Sequence, residues 1–338
     1  MNKQVSNILK FLVFFGIGIF LVWLSVRNLT QENKEQIGDA LQRADYTWIV
    51  VSILVGMLSH ISRAIRWKML LAPLNHHPKT SNTFFAVMVG YFANYAIPRL
   101  GEVSRCGILS RYEKIPFTES FGTVIVERLI DVLCFFILVA IVLAVQFKTI
   151  YAYLNETLLP GLYNKVSGSS TLLYALLSTG ILFMLLAFLF RNRLGSLIKG
   201  RARSLLTGFV EGLKTIRRLR SPWLFVFHSL FIWFIYYAML HICFFCLDET
   251  KGLGVGAGLT TLLIATLTVM ITPGGLGAYP YAVASILAIY AIDPHTIGTA
   301  IGWLVWLSQF VAIVFFGLLS LVLLPLLNKE KHGAENKA

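Results

Sequence analysis

Two short stretches decide the fold of this chain: residues 94–102, which read NYAIPRLGE, and residues 270–277, which read MITPGGLG. Both place proline and glycine inside long apolar segments, where they interrupt a helix and leave backbone groups without intrahelical partners. In a membrane such a break is tolerated only where protein or a watery cavity satisfies those groups. A matched pair of breaks, one in each half of a chain, points to a transport site between inverted repeats.

The composition around these stretches is that of an integral membrane protein. Of the 338 residues, 57% are hydrophobic and only 13% are charged, and the mean hydropathy is +0.73. This balance excludes a water-soluble fold of the same length. Segments long enough to cross a bilayer are predicted at residues 8–26, 46–71, 119–145, 172–190, 223–247 and 296–327. We therefore expect an all-α polytopic protein with about six full crossings and two broken or re-entrant helical hairpins.

The distribution of Lys and Arg predicts how these segments are oriented. Residues 191–220 contain nine Lys or Arg against one acidic residue, Glu211, and such loops lie in the cytoplasm. Working outward from that loop places both termini in the cytoplasm of a multi-pass protein of the cell (inner) membrane. The first broken segment then enters and leaves on the cytoplasmic side, and the second on the outer side. We expect one transmembrane domain over residues 1–338, with inverted repeats at 46–147 and 222–327. The alternative is that proline and glycine are simply common in transmembrane helices.

The basic segment 194–220 also carries apolar residues at helical spacing. This pattern predicts an interfacial helix on anionic lipid of the inner leaflet. The alternative is positive charge that serves only to set the topology. Either way the net charge of +13 comes largely from cytoplasmic loops, so no nucleic-acid partner is expected.

Ionisable residues inside one predicted crossing indicate a polar site. Glu127 and Asp131 lie four positions apart on one helix face, and Arg128 lies on the neighbouring edge. At ~1.5 Å per residue from Glu119 they are roughly 12 to 18 Å into the helix. Each charge at that depth costs about 2.5–3.5 kcal/mol unless it has a partner or water.

The first break supplies further charges to this predicted site. Arg99, Glu102 and Arg105 recur every three positions and can face Glu127 and Asp131. Arg99 and Arg105 are the predicted phosphate ligands, because guanidinium forks match phosphate oxygens. The alternative is a salt-bridge network that only pins the hairpin to its neighbour.

The breaks themselves are predicted to gate the path. Glycine lets backbone approach a ligand closely, and a broken helix frees amide and carbonyl groups to bind polar atoms. The alternative is a tight bend packed against other helices. The predicted gate residues are Pro98, Gly101, Thr272, Pro273, Gly274, Gly275 and Gly277.

Three motifs in order carry a family resemblance: Arg99-x-Gly101-Glu102 with Arg105, Glu127-Arg128 with Asp131, and Pro273-Gly274-Gly275-Leu276-Gly277. Over residues 7–327 the chain resembles the flippase-like membrane family related to the transmembrane region of lysylphosphatidylglycerol synthases. The resemblance implies lipid movement across the bilayer. Two departures from the family matter. The chain ends at Ala338, so we expect no aminoacyl-transferase domain, and Pro280 stands where many relatives have an acidic residue.

The sequence thus predicts a transporter that moves a phosphate-bearing membrane lipid between leaflets. Its expected partners are membrane phospholipids, and a homo-oligomer is left open. No phosphate loop follows the glycines at 252–258, and we expect no cofactor, no metal and no enzyme activity. One alternative is an intramembrane enzyme acting on a lipid headgroup, with Glu102 or Glu127 as general acid or base. Another is an accessory membrane subunit.

Overall fold

The computed structural model describes residues 29–97, 99–153 and 219–328, together with Trp23, Arg27, Asn155, Glu156 and Pro160. Regular structure in these ranges is helical, which confirms the all-α class. In chain order the helices are α1 (Gln31–Arg43), α2 (Tyr46–Leu71), α3 (Thr80–Ala96), α4 (Leu100–Glu113), α5 (Phe117–Tyr153), α6 (Pro222–Cys243), α7 (Val255–Ile271), α8 (Ala278–Leu287) and α9 (Ile297–Leu327). The predicted crossings at 8–26 and 172–190 and the basic segment 194–220 lie almost entirely outside the described residues.

Among the described residues, four helical segments are long and apolar enough to cross a membrane. They are Tyr46–Leu74, Phe117–Tyr153, Pro222–Cys246 and Ile297–Leu327, which include α2, α5, α6 and α9. They coincide with four of the predicted crossings, so a multi-pass membrane protein is confirmed. The contacts described below lie in a compact unit formed by residues 1–145 and 218–338; residues 146–217 form a second unit.

Between these long helices the chain breaks twice into a hairpin of shorter ones. Helices α3 and α4 stand between α2 and α5, and α7 and α8 stand between α6 and α9, each pair packed together. The four short helices have 17, 14, 17 and 10 residues. At ~1.5 Å per residue each is shorter than the roughly 30 Å hydrocarbon core. The order helix, hairpin, helix therefore occurs twice. The opposite orientation of the two copies in the membrane stays a prediction.

The first hairpin bends at the predicted break and is held there by two contacts. Arg99 takes a left-handed conformation with φ of 65° just before α4. The Gly101 amide donates to Asn94 Oδ1 at 2.8 Å, which satisfies one of the open N–H groups at the start of α4. A Cβ on Gly101 would stand 2.1 Å from the Gly90 carbonyl oxygen, so only glycine lets α3 and α4 approach this closely. Pro98 lies outside the described residues.

The second hairpin bends through three left-handed glycines and meets the first. Gly274, Gly275 and Gly277 have φ of 57°, 75° and 70°, a region that glycine adopts without steric cost. Trp306 Nε1 on α9 donates to the Gly274 carbonyl at 2.9 Å. The ring of Tyr95, at the end of α3, lies directly against Gly274. The two breaks are therefore neighbours in space, although Tyr95 and Gly274 are 179 positions apart in the chain (274 − 95).

Contacts made by the long helices position the elements that carry the site. Helix α2 packs against α6, and Ser52 Oγ donates to the Met239 carbonyl at 2.7 Å. Helix α9 packs against α3, where Gly317 lies on Phe92. Trp67 of α2 is fully buried, and its Nε1 donates to Thr123 Oγ1 of α5 at 2.9 Å. These contacts bring α2, α4 and α5 together around the charged residues.

Candidate lipid-headgroup site

Seven charged side chains meet where α2, α4 and α5 come together. We call this set the ionic cluster; it consists of Arg63, Arg66, Glu102, Arg105, Glu127, Arg128 and Asp131. Four guanidinium groups face three carboxylates, so one positive charge is unbalanced within the cluster. In a membrane-spanning region an ionisable cluster needs internal partners or water, and such residues mark functional sites by default.

Glu127 is the centre of the cluster and is fully buried. One of its oxygens, Oε1, lies 2.6 Å from Arg63 Nη1 and 3.3 Å from Arg66 Nη2. The other, Oε2, lies 3.0 Å from Arg105 Nη1. A carboxylate joined to three guanidinium groups on two different helices fixes the positions of all three. Glu127 therefore organises the arginines, although its Oε2 atom makes no hydrogen bond with the described residues beyond the ion pair with Arg105.

Asp131 stands one helical turn further along α5 and binds the same two arginines of α2. Its oxygens lie 2.8 Å from Arg63 Nη1 and 2.7 Å from Arg66 Nη2. Both arginines also reach α6, Arg63 through Tyr236 at 3.1 Å and Arg66 through Ser229 at 3.1 Å. The inner part of the cluster thus ties three of the long helices together.

Arg63 and Arg66 belong to the candidate site and were not predicted from the sequence. They were counted as part of an apolar crossing, although two arginines three positions apart share one helix face. That spacing, inside a segment otherwise fit to cross a membrane, was the available signal. The sequence predicts Arg99 and Arg105 as partners of the carboxylates on α5; the structure adds the two arginines of α2.

Arg105 has two buried N–H donor atoms without described partners, whereas Arg63 and Arg66 each leave only Nε without one. Arg105 is 4% exposed, and its guanidinium stacks on the Trp67 ring with 4.6 Å between Cζ and the ring centroid. Its Nε and Nη2 atoms find no hydrogen-bond partner among the described residues. A buried N–H without a partner costs about 1–3 kcal/mol. Two such donors on one fork form a site prepared for an anion.

These donors belong to a cleft between α3, α4 and α5. The cleft is narrow: its cavity volume is about 10 Å³, and it is lined by Arg63, Gly90, Tyr91, Asn94, Arg105 and Arg128. This is room for about one water molecule, so a headgroup would enter only as the surrounding side chains move apart. Gly101, a predicted gate residue, also lines it.

Glu102 and Arg128 form the outer edge of the ionic cluster. Arg128 Nη2 lies 2.6 Å from Glu102 Oε1, and Arg128 Nη1 lies 3.7 Å from Asp131 Oδ2. The second carboxylate oxygen of Glu102 has no hydrogen-bond partner in the described part of the chain. At this edge the open acceptor is the second oxygen of Glu102.

Arg99 is placed apart from the cluster. Its side chain is exposed, and it forms no ion pair with the residues that the structure describes. It stands at the break, one residue before α4. A role as phosphate ligand stays a prediction for this residue. Of the other predicted gate residues, Thr272 is buried, and the stretch from Pro273 to Gly277 forms the bend against Tyr95.

The helical hairpins and the buried ionic cluster define a class of polytopic membrane protein with a polar site inside the bilayer. The chain matches the family described as the lysylphosphatidylglycerol synthase TM region over residues 7–317, so it belongs to that family, and the resemblance stated from the sequence is confirmed. Among the described residues, no group of three or more His, Cys, Asp or Glu side chains is placed to hold a metal ion.

Two UPF0104 membrane proteins of Methanocaldococcus jannaschii are similar to this chain. One is 27% identical over 138 residues, which is 40% of this chain and 41% of that protein. The other is 27% identical over 229 residues, which is 67% of this chain and 91% of that protein. No solved structure matches the chain significantly.

Proposed function

We propose that this protein moves a phosphate-bearing lipid between the two leaflets, with the headgroup in the cleft and the acyl chains in the bilayer. The observation that carries the proposal is Arg105: a buried guanidinium beside the cleft whose Nε and Nη2 atoms lack partners in the described structure. A guanidinium fork binds phosphate oxygens through charge-assisted hydrogen bonds, which are about twice as strong as neutral ones. Membership of the family supports a lipid-related role.

In this proposal the residues of the ionic cluster have distinct tasks. Arg105 and Arg128 bind the phosphate, and Arg99 receives it at the break. Glu127 and Asp131 act through the arginines by holding them in place, and Glu102 holds Arg128. The unbalanced positive charge of the cluster lowers the cost of bringing an anionic group to this depth, because the anion and the cation desolvate together.

The two breaks form the proposed gate. Tyr95 and Gly274 close the space between the hairpins, and the Trp306 hydrogen bond to Gly274 holds the second bend. A shift of one hairpin against the other would separate Tyr95 from Gly274 and extend the polar path. Broken helices at the interface of two repeats are the usual place for such movement in transporters.

Reconstitution into liposomes tests the proposal. The protein should speed the movement of fluorescent phospholipids between leaflets without added nucleotide. Arg105→Gln should slow this movement about tenfold or more, since it removes charge-assisted hydrogen bonds worth about 1.5–3 kcal/mol. Arg111→Gln, on an exposed residue of the same helix, is the matched control and should change nothing.

The lipid panel should be taken from the native membrane, because the chemistry of the site defines a phosphate and not a particular lipid. If no lipid in the panel moves faster, with or without a proton gradient, the transport proposal fails. If incubation instead yields a modified headgroup, an intramembrane enzyme replaces it. Binding of anionic lipid at residues 194–220 stays a prediction, because that segment lies almost wholly outside the described residues.

A further inference from the structure

Arg128 occupies an unusual place on α5. Its side chain is 43% exposed, against 18% for Glu102 and 13% or less for the other members of the ionic cluster. On the same face of α5, Ile125, Val132 and Phe136 are exposed, at the spacing of one helical stripe. In the described part of the chain these apolar side chains are uncovered, as expected for a lipid-facing stripe on a membrane-spanning helix, and Arg128 interrupts that stripe.

Because Arg128 lies deep in the membrane-spanning helix, the exposure of its charge carries a free-energy cost. It stands eleven positions after Phe117, where α5 begins, which is about 16 Å along the helix. That is about half of a hydrocarbon core roughly 30 Å thick. A cation facing lipid there costs about 2.5–3.5 kcal/mol on insertion scales. Arg128 also lines the cleft, so the cleft reaches the lipid-facing surface at this residue.

The contact that closes the cleft on this side is a single ion pair. Arg128 Nη2 and Glu102 Oε1 join α5 to α4 at 2.6 Å. Behind the pair lie Arg105 and its two N–H groups without described partners. A phosphate that reaches Arg128 from the bilayer competes first with the carboxylate of Glu102, at 2.6 Å, and less with that of Asp131, at 3.7 Å.

We infer that the Arg128–Glu102 ion pair is the lateral entrance of the cleft, and that the ligand which opens it is the phosphodiester of a net anionic phospholipid. This inference rests on the proposed function. The phosphate oxygens replace the Glu102 carboxylate as the partner of Arg128. They then accept hydrogen bonds from the open N–H groups of Arg105. The acyl chains stay outside, along the stripe of Ile125, Val132 and Phe136.

The charge of the ionic cluster selects the class of lipid. A phosphodiester carries one negative charge and balances the one unpaired positive charge of the cluster. A zwitterionic phospholipid carries the same phosphodiester but adds an ammonium group, which would stand near the arginines, where like charges repel, and would leave the net charge of cluster and headgroup at +1. Inorganic phosphate shares the oxyanion chemistry but has no acyl chains to lie on the stripe. The site should therefore rank anionic phospholipid above both.

Lipid binding to the purified protein in mild detergent tests this ranking. The probes are phosphatidylglycerol, phosphatidylcholine and inorganic phosphate, each titrated against wild type, Glu102→Gln and Glu119→Gln. Wild type should bind phosphatidylglycerol at least tenfold more tightly than the other two. Glu102→Gln should bind phosphatidylglycerol about tenfold more tightly still, because the competing carboxylate charge is gone. Glu119→Gln, which alters an exposed carboxylate paired with His76, is the control and should bind as wild type does.

Whether Glu102→Gln strengthens or weakens the binding of phosphatidylglycerol distinguishes a lateral entrance from an ion pair that only stabilises the fold. Weaker or unchanged binding of phosphatidylglycerol by a variant that melts as wild type does would overturn the inference. If Glu102→Gln does not fold, Arg128→Gln decides, because it should abolish the preference for phosphatidylglycerol over phosphatidylcholine; a preserved preference overturns the inference. Inorganic phosphate binding as tightly as phosphatidylglycerol would show a free-anion site, and overturns it too.

The two proposals fail in different ways. If phosphatidylglycerol and phosphatidylcholine bind equally well but lipids still move in liposomes, the proposed entrance is wrong and the proposed transport is supported. Selective binding with the expected Glu102→Gln gain, but no lipid movement, removes transport and leaves a headgroup-binding site.

Discussion

At the scale of single residues, the structure separates arginines that hold the fold from those that are free to bind. Arg66 is fully buried and contacts Glu127, Asp131 and Ser229. Arg66→Leu should lower the free energy of unfolding by about 3–5 kcal/mol, because it leaves buried carboxylate charge without its partner. The loss is measured by unfolding the purified protein in detergent with heat or with urea.

Arg99→Leu is the control for this prediction. Arg99 is exposed and forms no ion pair with the described residues, so its replacement should change the free energy of unfolding by about 0.5 kcal/mol or less. Equal losses for the two variants would contradict the structural role of Arg66.

The residues of the candidate site could be predicted only in part. The spacing of Glu127 and Asp131 on one helix face was visible in the sequence, as was the need of such charges for partners. The identity of those partners was not, because Arg63 and Arg66 lie 61 to 68 positions away on another helix. Periodicity reports on one helix at a time, and pairing between helices depends on how they pack.

At the scale of elements, the close crossing of α3 and α4 depends on one glycine. Gly101→Ala should destabilise the protein by about 1–3 kcal/mol, the usual cost of overpacking, because its Cβ would collide with the Gly90 carbonyl. Gly107→Ala on the same helix meets no atom within 4 Å. It should be neutral or stabilising by up to about 1 kcal/mol through helix propensity. Melting curves of the two variants in the same detergent give the comparison.

A Gly101→Ala variant as stable as Gly107→Ala would show that α3 and α4 do not cross so closely. The position of both breaks was predictable, because proline and glycine act locally on the backbone. The Asn94 contact to the Gly101 amide and the meeting of Tyr95 with Gly274 were not. Both depend on the path of the chain beyond the break.

At the scale of the whole molecule, the orientation of the two hairpins is the main prediction still to be tested. In a background without the four cysteines, single cysteines at Ser81 and Lys114 should react with membrane-impermeant reagents only from the cytoplasm. Cysteines at Lys251 and Asp293 should react only from outside. All four positions are exposed. If a cysteine is not labelled from one side, the membrane and not burial in the protein has therefore kept the reagent away. The positive-inside distribution of Lys and Arg is the physical reason.

If the cysteines at Ser81 and Lys114 react from opposite faces, the first hairpin crosses the membrane once and does not return to the same side. That result would contradict the inverted-repeat hypothesis. Hydropathy was sufficient to predict the long helices, since apolar length alone decides whether a helix can span. It could not predict which helices pack together, and therefore not the pairing of α2 with α6 or of α3 with α9.

The buried ionic cluster also constrains how the protein is made. Helix α2 carries Arg63 and Arg66, and the carboxylate that neutralises Arg63 comes 64 residues later. At a synthesis rate of about 5–20 residues per second, that interval lasts roughly 3–13 s. During this time α2 would hold two unpaired arginines, at about 2.5–3.5 kcal/mol each, if it entered the lipid alone. Entry of α2 into the bilayer together with α5 would avoid this cost.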